Sequence, residues 1–357
     1  MNIKFEMDST YTDLANRTLR LLERSNSYRI LILLIGAPGS GKSTIAQRVV
    51  DILNERHIQY NQSAKGTQQK NIDGHYQSEV NTKLPSYDES VEIDVEDENY
   101  TPTLNVIDQT TSIIRGRGGD DTAVKIQKST GVESSIDQFA QVVPMDGFHL
   151  PRRVLHQFKD SKTAIARRGS PFTFDSSLIV QLVENINETL QIKAEGIDPL
   201  ETAISDIPDI YIPSFNHAEH DPKQFGTVIH SSSRVLIMEG LYLLLNEPVW
   251  ERIPRILHPN IEFEPILNTK SHNFNKIDDV EVPKGKNYEL WKIITDEDTM
   301  LYRVGKRHLN AGIVKTLKEG EDRVKFNDLP NGKLVYAKSF KSDLNIFSID
   351  DENESVL

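Results

Sequence analysis

A glycine-rich run followed by a lysine and a hydroxyl residue is the part of the sequence best suited to chemistry. The run consists of Gly36, Ala37, Pro38, Gly39, Ser40, Gly41, Lys42, Ser43 and Thr44. Its glycines let successive backbone N–H groups point at phosphate oxygens, while the lysine reaches the outer phosphates and the first hydroxyl binds Mg²⁺. We therefore interpret the run as a nucleoside triphosphate site, with Lys42 as the catalytic cation and Ser43 as a metal ligand.

The segments on either side of this loop can position it. Residues 30–35 are six consecutive aliphatic residues, and a helical pattern begins directly after the loop. A run that is apolar on both faces predicts a central parallel strand covered by helices. The first turn of the following helix adds partial positive charge beside the phosphates. A chance glycine-rich turn is the alternative, but such a turn is rare in a strand–loop–helix context.

Two further aliphatic segments end in an acid followed by glycine. Asp146 and Gly147 follow a short apolar strand, and Glu239 and Gly240 end a longer one. Parallel sheets bind ligands outside the carboxyl ends of their strands, so we expect both acids to serve chemistry. A helix cap is the alternative for Asp146. We expect Glu239 to lie opposite Ser43, where it could order Mg²⁺ through water or act on the nucleophile.

Basic residues are concentrated in two places. Residues 296–312 read as a helix, and Arg303 and Arg307 share a face because they are four residues apart. Because this helix follows apolar strands typical of a P-loop sheet, we interpret its basic face as a lid over the phosphates. A solvated helix face is the alternative. Four earlier arginines could hold anionic substrate groups, or could lie on solvated helix faces. They are Arg152, Arg153, Arg167 and Arg168.

Composition limits the classes of protein that remain. The chain has 357 residues, a formal charge of −12 and no cysteine, which excludes disulfides and thiolate metal sites. The length favours one α/β core with elaborations. No apolar run approaches about 18 residues, and the first residues lack the features of a signal or transit peptide. We therefore expect a cytoplasmic protein without membrane contact, and the acidic charge argues against general nucleic-acid affinity.

Two segments interrupt the predicted core. Residues 61–137 carry 14 acidic and 7 basic residues, and residues 258–286 lose periodicity. We expect the first to be an insertion of low order that could recruit a protein partner, with a possible exposed strand at 92–96. A mobile turn is favoured over an anion clamp at 115–119. The prediction is one domain over 1–357, with its core at about 25–58, 140–255 and 288–345.

The motifs, in this order, resemble those of the P-loop kinases that include phosphoribulokinase, uridine kinase and bacterial-type pantothenate kinase. The resemblance rests on the P-loop, on 145–149, on 168–175, on 237–240 and on the basic helix. It implies a three-layer α/β/α fold with a mostly parallel central sheet, a helical lid and long insertions. It also implies transfer of a phosphoryl group from ATP·Mg²⁺ to a hydroxyl of a sugar, a nucleoside or a pantothenate-like alcohol.

The resemblance also implies roles for particular residues. Asp146 takes the place of the general base, Glu239 that of the acid near the metal, and Arg303 and Arg307 those of the lid arginines. Asn327 matches a segment near the adenine. The acceptor-pocket segments correspond to His149, Arg168, Asp175, Phe215 and His217. Asn216 departs from the relatives, which carry an acid or a Ser-His pair there, and the 61–137 insertion has no counterpart.

A regulatory or assembly ATPase that uses hydrolysis as a switch is the alternative function. Its acidic insertion would then be the binding surface for a partner. Asp146 discriminates between the two, because a kinase needs an acceptor base whereas a switch ATPase needs a positioned water. A nucleic-acid enzyme fits the acidic charge poorly.

Overall fold

The computed structural model describes residues 3–64, 94–128, 138–194, 207–266, 277 and 280–348. At its centre is a five-stranded sheet in which every pairing is parallel. Its strands are Ile30–Gly36 (β1), Ala140–Pro144 (β5), Val235–Gly240 (β8), Tyr288–Ile294 (β9) and Leu344–Phe347 (β10). Their spatial order is β10-β9-β1-β8-β5, so β1 is central and β8 is its direct neighbour, as predicted.

Helices cover both faces of this sheet. They are Ile3–Ser25 (α1), Lys42–Ala64 (α2), Arg152–Leu155 (α3), Ser161–Ala166 (α4), Ser176–Leu190 (α5), Arg252–Leu257 (α6), Glu297–Asn310 (α7), Leu317–Phe326 (α8) and Asp328–Ala337 (α9). Three of those described start at side-chain caps: Asp160 accepts from Thr163 N in α4, Asp296 from Thr299 N in α7, and Thr316 from Glu319 N in α8. The helix expected directly after the glycine-rich loop is confirmed by α2.

The alternation of side chains in β1 produces the three layers. Ile30, Ile32 and Leu34 pack into the apolar cluster that includes α1 and α2. The intervening residues Leu31 and Leu33 pack into the cluster on the opposite face, which includes α5 and α6. Each side chain is completely buried and stabilises the fold by roughly 1.5–3 kcal/mol. The predicted α/β/α architecture with a strand apolar on both faces is confirmed.

A second sheet is antiparallel, and three of its strands lie where we expected low order. Its strands are Thr103–Val106 (β2), Thr111–Gly116 (β3), Gly119–Gln127 (β4), Asp209–Asn216 (β6) and Asp221–Ile229 (β7), in the order β2-β3-β4-β6-β7. The expectation of low order is therefore wrong for residues 94–128. The strands are stabilised by buried residues, among them Ile114 and Val124, which join the main core.

The turn at 115–119 is also more ordered than we expected. Arg115 and Arg117 are both buried, and Arg117 donates to the carbonyl oxygens of Val95 and Phe174. Val95 packs in a small apolar cluster with Leu150, so residues 94–96 form a packed loop rather than an exposed strand. A mobile turn is wrong here, because the Arg117 guanidinium binds two backbone carbonyls that only the folded chain brings near, and Arg115 binds side-chain oxygens of Asp120 and Asn105.

Other expectations concern segments that the structure describes only in part. Residues 65–93 and 129–137 of the first insertion lie outside the described ranges. Within 258–286, residues 262–266 pair with residues 336–341 at and after the end of α9, where Phe263 forms a bridge with Phe340. No helix among the described residues is long and apolar enough to cross a membrane.

Candidate active site

The predicted P-loop connects β1 to α2 in the expected strand–loop–helix geometry. Gly39 and Gly41 adopt φ angles of +74° and +85°, in the left-handed region that glycine enters most easily. A Cβ atom placed on Gly41 would meet no atom within 4 Å, so open space lies directly beside the loop. The loop therefore fits a phosphate chain, with the first turn of α2 adding its partial positive charge.

Lys42 and Glu239 form the charged centre next to this loop. Ser43 donates its hydroxyl to Glu239 Oε1 at 3.2 Å, which matches the predicted placement of Glu239 opposite Ser43. Burial lowers the pKa of Lys42, and the charges of Glu239 and Asp146 oppose that shift. Burial likewise raises the pKa of Glu239, opposed by Lys42. Each of the two charges therefore stabilises the charged form of the other against the effect of burial.

Ser43 and Glu239 offer oxygen ligands that suit Mg²⁺ bound together with a nucleotide. A metal held by protein ligands alone would need more of them. Among the described residues, no group of three or more His, Cys, Asp or Glu could hold a metal ion. Mg²⁺ in nucleotide sites usually takes one or two protein ligands and completes its octahedron with phosphates and water. Ser43 and Glu239 would then be the protein's share of that shell.

Asp146 lies at the same edge of the sheet, just beyond β5. In the pairing of β5 with β8, Pro144 is opposite Glu239, so Asp146 follows two residues later in a 3₁₀ turn. Its side chain is exposed. Gly147 fixes this turn against β6, because a Cβ atom there would lie only 1.9 Å from the carbonyl oxygen of Pro213. The close approach holds Asp146 in place and explains the glycine beside it.

Four rings beside Asp146 form what we term the aromatic cluster: His149, Phe174, Phe215 and His217. The His149 ring lies 4.0 Å from that of Phe174 and 4.8 Å from that of Phe215, and Phe215 lies 5.2 Å from His217. His149 Nδ1 is 2.7 Å from the carbonyl oxygen of Asp146. A carbonyl oxygen only accepts, so we assign the ring proton to Nδ1. Burial lowers the pKa of His149, which favours the neutral ring with Nε2 as an acceptor.

Arg168 reaches the aromatic cluster but binds protein groups. It forms an ion pair with Asp221 at 2.7 Å and donates to the carbonyl oxygens of Leu150, at 2.9 Å, and His220. Its guanidinium carbon lies 5.5 Å from the centre of the Phe215 ring. The sequence carries no signal for Asp221, because its partner is 53 residues away.

The side chain of Asp175 binds groups outside the aromatic cluster. It is completely buried, and its carboxylate accepts from Gly118 N at 2.9 Å and from Thr122 Oγ1 at 3.2 Å. Those contacts join the start of α5 to the β3–β4 hairpin. The structure therefore gives Asp175 a bridging position between two elements.

Asn327 lies at the junction of α8 and α9. Its Nδ2 donates to the carbonyl oxygen of Arg168 at 3.1 Å, and its Oδ1 is buried with no hydrogen-bond partner among the described residues. Asn331, one turn later, donates to the carbonyl oxygen of Gly169. These amides fasten the 167–170 loop to the C-terminal helices. An adenine contact by Asn327 stays a prediction.

The basic helix α7 packs directly on the P-loop. Arg303 Nη1 donates to the carbonyl oxygen of Gly39 at 3.1 Å and to Ser348 Oγ at 2.7 Å. A Cβ atom on Gly39 would lie 2.7 Å from a methyl group of Val304, so the loop and the helix are in close contact. Arg307 is near enough to Lys42 to lower its pKa. The two arginines therefore lie at the phosphate-binding loop, where a lid would place them.

Comparisons with known proteins agree with this geometry. The sequence profile of the AAA domain (dynein-related subfamily) matches residues 31–92, which include the P-loop. The ATP-dependent kinase YFH7 of Kluyveromyces lactis is 33% identical over 93% of this chain and 95% of its own length. YFH7 of Saccharomyces cerevisiae is 33% identical over 92% of this chain and 96% of its own.

A solved structure extends the comparison to the fold. The crystal structure of YFH7 from Saccharomyces cerevisiae, described as a candidate P-loop kinase with a circular permutation, superposes with a TM-score of 0.71. It is 31% identical in sequence, and the match covers 96% of this chain and 99% of that one. Fold and relatives together define the class as an ATP-dependent P-loop kinase. Within that class, the chain belongs to the family of yeast ATP-dependent kinases named YFH7.

Proposed function

We propose that this kinase transfers the γ-phosphoryl group of ATP to a hydroxyl of a small metabolite, with Mg²⁺ at Ser43 and Glu239. The position of Asp146 carries the proposal. Its charge acts on both Lys42 and Glu239, and its backbone carbonyl oxygen contacts the His149 ring. A carboxylate near both a phosphate cradle and an aromatic cluster supports a role for Asp146 toward an acceptor hydroxyl.

Each residue then has a defined task. Asp146 orients the acceptor hydroxyl and accepts its proton. Lys42, Arg303 and Arg307 stabilise the negative charge that spreads over the transferred phosphoryl oxygens. Bound Mg²⁺ supplies further neutralisation of the phosphates. Because phosphoryl transfer needs little covalent help, positioning and electrostatics account for most of the acceleration.

Sugars, nucleosides and pantothenate-like alcohols remain the candidate acceptors. The aromatic cluster offers ring faces and one nitrogen acceptor, which suits a small hydroxyl-bearing molecule. We also propose a cytoplasmic location, in keeping with a chain that has no cysteine. We also propose that the 61–137 segment is where a protein partner would bind. Val95 is buried, so it would not form part of that surface.

The decisive experiment measures ATP consumption with and without a panel of hydroxyl-bearing metabolites. We expect one metabolite to raise the rate and to appear as its phosphate. Asp146→Asn should still bind ATP but lose roughly 10²–10⁴-fold in transfer, the usual contribution of a general base. Lys42→Ala should abolish transfer. Asp51→Asn on α2 is the matched control for Asp146→Asn and should retain phosphoryl transfer.

The opposite result would favour the alternative function. A slow ATP hydrolysis that no metabolite changes, and that Asp146→Asn leaves intact, would contradict the kinase assignment of Asp146. It would support the regulatory ATPase, in which Asp146 has no acceptor to serve.

A further inference from the structure

Strand β10 of the central sheet brings a serine to the edge where the P-loop lies. β10 pairs with β9 in parallel, with Phe347 opposite Ile294, and Ser348 N donates to the carbonyl oxygen of Ile294 at 2.9 Å. From Ile294 the chain continues into α7, whose cap is Asp296. Parallel strands present their carboxyl ends at one edge of the sheet, so Ser348 lies at the same edge as the P-loop.

Arg303 joins this serine to the P-loop. Its Nη1 atom donates to Ser348 Oγ at 2.7 Å and to the carbonyl oxygen of Gly39 at 3.1 Å. Nη1 carries two N–H groups, and the guanidinium is planar and rigid. Acceptors on two different elements therefore restrict the orientation of the guanidinium plane. The sequence carries no signal for this contact, because the two side chains are 45 residues apart.

The side chain of Ser348 is not needed to pair the strand. The pairing of β10 with β9 uses backbone groups, among them Ser348 N, and these hydrogen bonds form whatever the side chain is. The hydroxyl makes a separate contact, with a guanidinium that α7 carries to the P-loop. A hydrogen bond that involves a charged group is stronger than one between neutral groups. The hydroxyl therefore acts on Arg303 rather than on the sheet.

The two arginines of the basic helix differ in how they are held. Arg303 is half-buried and contacts two elements, whereas Arg307 is exposed, and its guanidinium forms no hydrogen bond or ion pair within the described part of the chain. A cation that is fixed before the reaction needs no reorganisation as charge develops on the phosphoryl oxygens. Arg303 is thus the preorganised arginine of the two, and Ser348 is one of the groups that hold it.

We propose that Ser348 is a positioning residue for phosphoryl transfer, whose hydroxyl holds the Arg303 guanidinium in the orientation that serves the outer phosphates of ATP. The proposal rests on the proposed function, in which Arg303 stabilises the transferred phosphoryl group. Ser348 itself gives up no proton and forms no bond to the substrate. Its effect is on kcat, because a misdirected guanidinium still adds its charge to nucleotide binding but stabilises the transition state less well.

The first test separates kcat from KM in the metabolite assay. Ser348→Ala should lower kcat roughly tenfold, the lower end of what a hydrogen bond to a charged group contributes, and should change KM for ATP less than about threefold. Ser348→Thr keeps the hydroxyl and should restore most of kcat. The control Ser342→Ala removes a hydroxyl that donates to Asn345 Oδ1 and should leave both values unchanged. An unchanged kcat in Ser348→Ala would overturn the proposal.

A double-mutant cycle shows whether Ser348 acts through Arg303. Arg303→Ala should lower kcat, and adding Ser348→Ala to that variant should lower kcat no further. Losses that multiply would mean that the serine acts independently of Arg303, which would overturn the positioning role. The melting temperature is a separate readout. If Ser348→Ala lowered the melting temperature and left kcat unchanged, the serine would have a structural role only.

Binding without turnover keeps this proposal separable from the kinase function. Mg·ADP with aluminium fluoride mimics the transferred phosphoryl group, and such mimics bind through contacts made in the transition state. The wild type should bind Mg·ADP at least about tenfold more tightly with aluminium fluoride than without it, and Ser348→Ala should lose most of that gain. No gain in the wild type, or an equal gain in both proteins, would overturn the proposal. If no metabolite is phosphorylated, the kinase function fails, whereas this difference in binding still decides the role of Ser348.

Discussion

Lys292 is a buried charge whose hydrogen bond within the described residues goes to a backbone carbonyl and not to a carboxylate. It lies on β9 beside the P-loop strand, is 1% exposed, and donates to the carbonyl oxygen of Phe340 at 2.9 Å. Burial lowers the pKa of Lys292 to about 8, with Glu264 opposing the shift. The folded protein therefore binds fewer protons than the unfolded chain between pH 8 and about 10.5.

This shift predicts how stability depends on pH. Because the unfolded chain binds more protons in that window, the free energy of unfolding should rise as pH increases from 8 to about 10. Lys292→Met should stabilise the protein by about 2 kcal/mol at pH 7, after subtracting the lost hydrogen bond, and should give no gain at pH 10. Urea unfolding at both pH values tests this. Lys284→Met, at an exposed position, should show no such difference.

Asp175 provides a second test at the scale of one residue. Its carboxylate accepts hydrogen bonds from Gly118 N and Thr122 Oγ1 and is completely buried. Asp175→Ala should therefore lower the free energy of unfolding by about 2–3 kcal/mol, since buried donors lose a charged acceptor. If instead stability is unchanged and only kcat/KM falls, the residue acts on the acceptor as the family resemblance implied.

At the scale of elements, the N-terminal helix α1 is joined to the central sheet by a buried ion pair. Arg17 donates to both carboxylate oxygens of Glu289 on β9, at 2.9 and 2.8 Å, and to the carbonyl oxygen of Val280. Trp291 Nε1 donates to the same carboxylate at 2.7 Å. Both charged side chains are 1% exposed, so neither can turn to water if its partner is lost.

Removing one partner should therefore be costly. We expect Arg17→Leu to destabilise the protein by about 3–5 kcal/mol, because Glu289 would remain as an uncompensated buried charge. Arg24→Leu on the same helix breaks the exposed pair with Glu281 and should cost less than about 1 kcal/mol. Equal losses for the two variants, measured by denaturant unfolding, would contradict the importance of the buried pair.

At the scale of the whole molecule, three parts of the site are joined by hydrogen bonds. The P-loop contacts α7 through Arg303, and the 167–170 loop is held to the C-terminal helices through Asn327 and Asn331. Movement of α7, α8 and α9 would therefore displace both the P-loop and the 167–170 loop. Under the proposed function, such coupling would help to bring ATP and the acceptor together.

The lid assignment leads to a kinetic prediction. Arg307 lies near Lys42, where it adds to the lowering of the pKa by burial, and near Asp328, where it opposes the raising of the pKa by burial. Arg307→Ala should reduce kcat roughly 10³-fold, as loss of an arginine that stabilises the transferred phosphoryl group does, with a smaller effect on ATP affinity. Lys306→Ala on the same helix should have little effect, because its ammonium lies over the Tyr302 ring. Similar losses of kcat in both variants would argue for a general charge effect.

The parts of this protein that could be predicted from sequence are those fixed by short-range patterns. The P-loop, the central strand β1, and the acids Asp146 and Glu239 at strand ends were all found this way. In each case the pattern spans fewer than about ten residues, and backbone geometry alone links it to a position in a parallel sheet. Asp146 and Glu239 come together because neighbouring parallel strands end at one edge.

Tertiary structure decided what depends on partners distant in the chain. The high charge of residues 61–137 concealed β2, β3 and β4, because a strand is stabilised by the neighbour it pairs with and not by composition. Arg168 is separated from Asp221 by 53 residues, and Arg17 from Glu289 by 272. Sequence alone determined the nucleotide site and the class of chemistry. Only the fold decided which carboxylate each of these arginines pairs with, because partners so distant in the chain meet only when it folds.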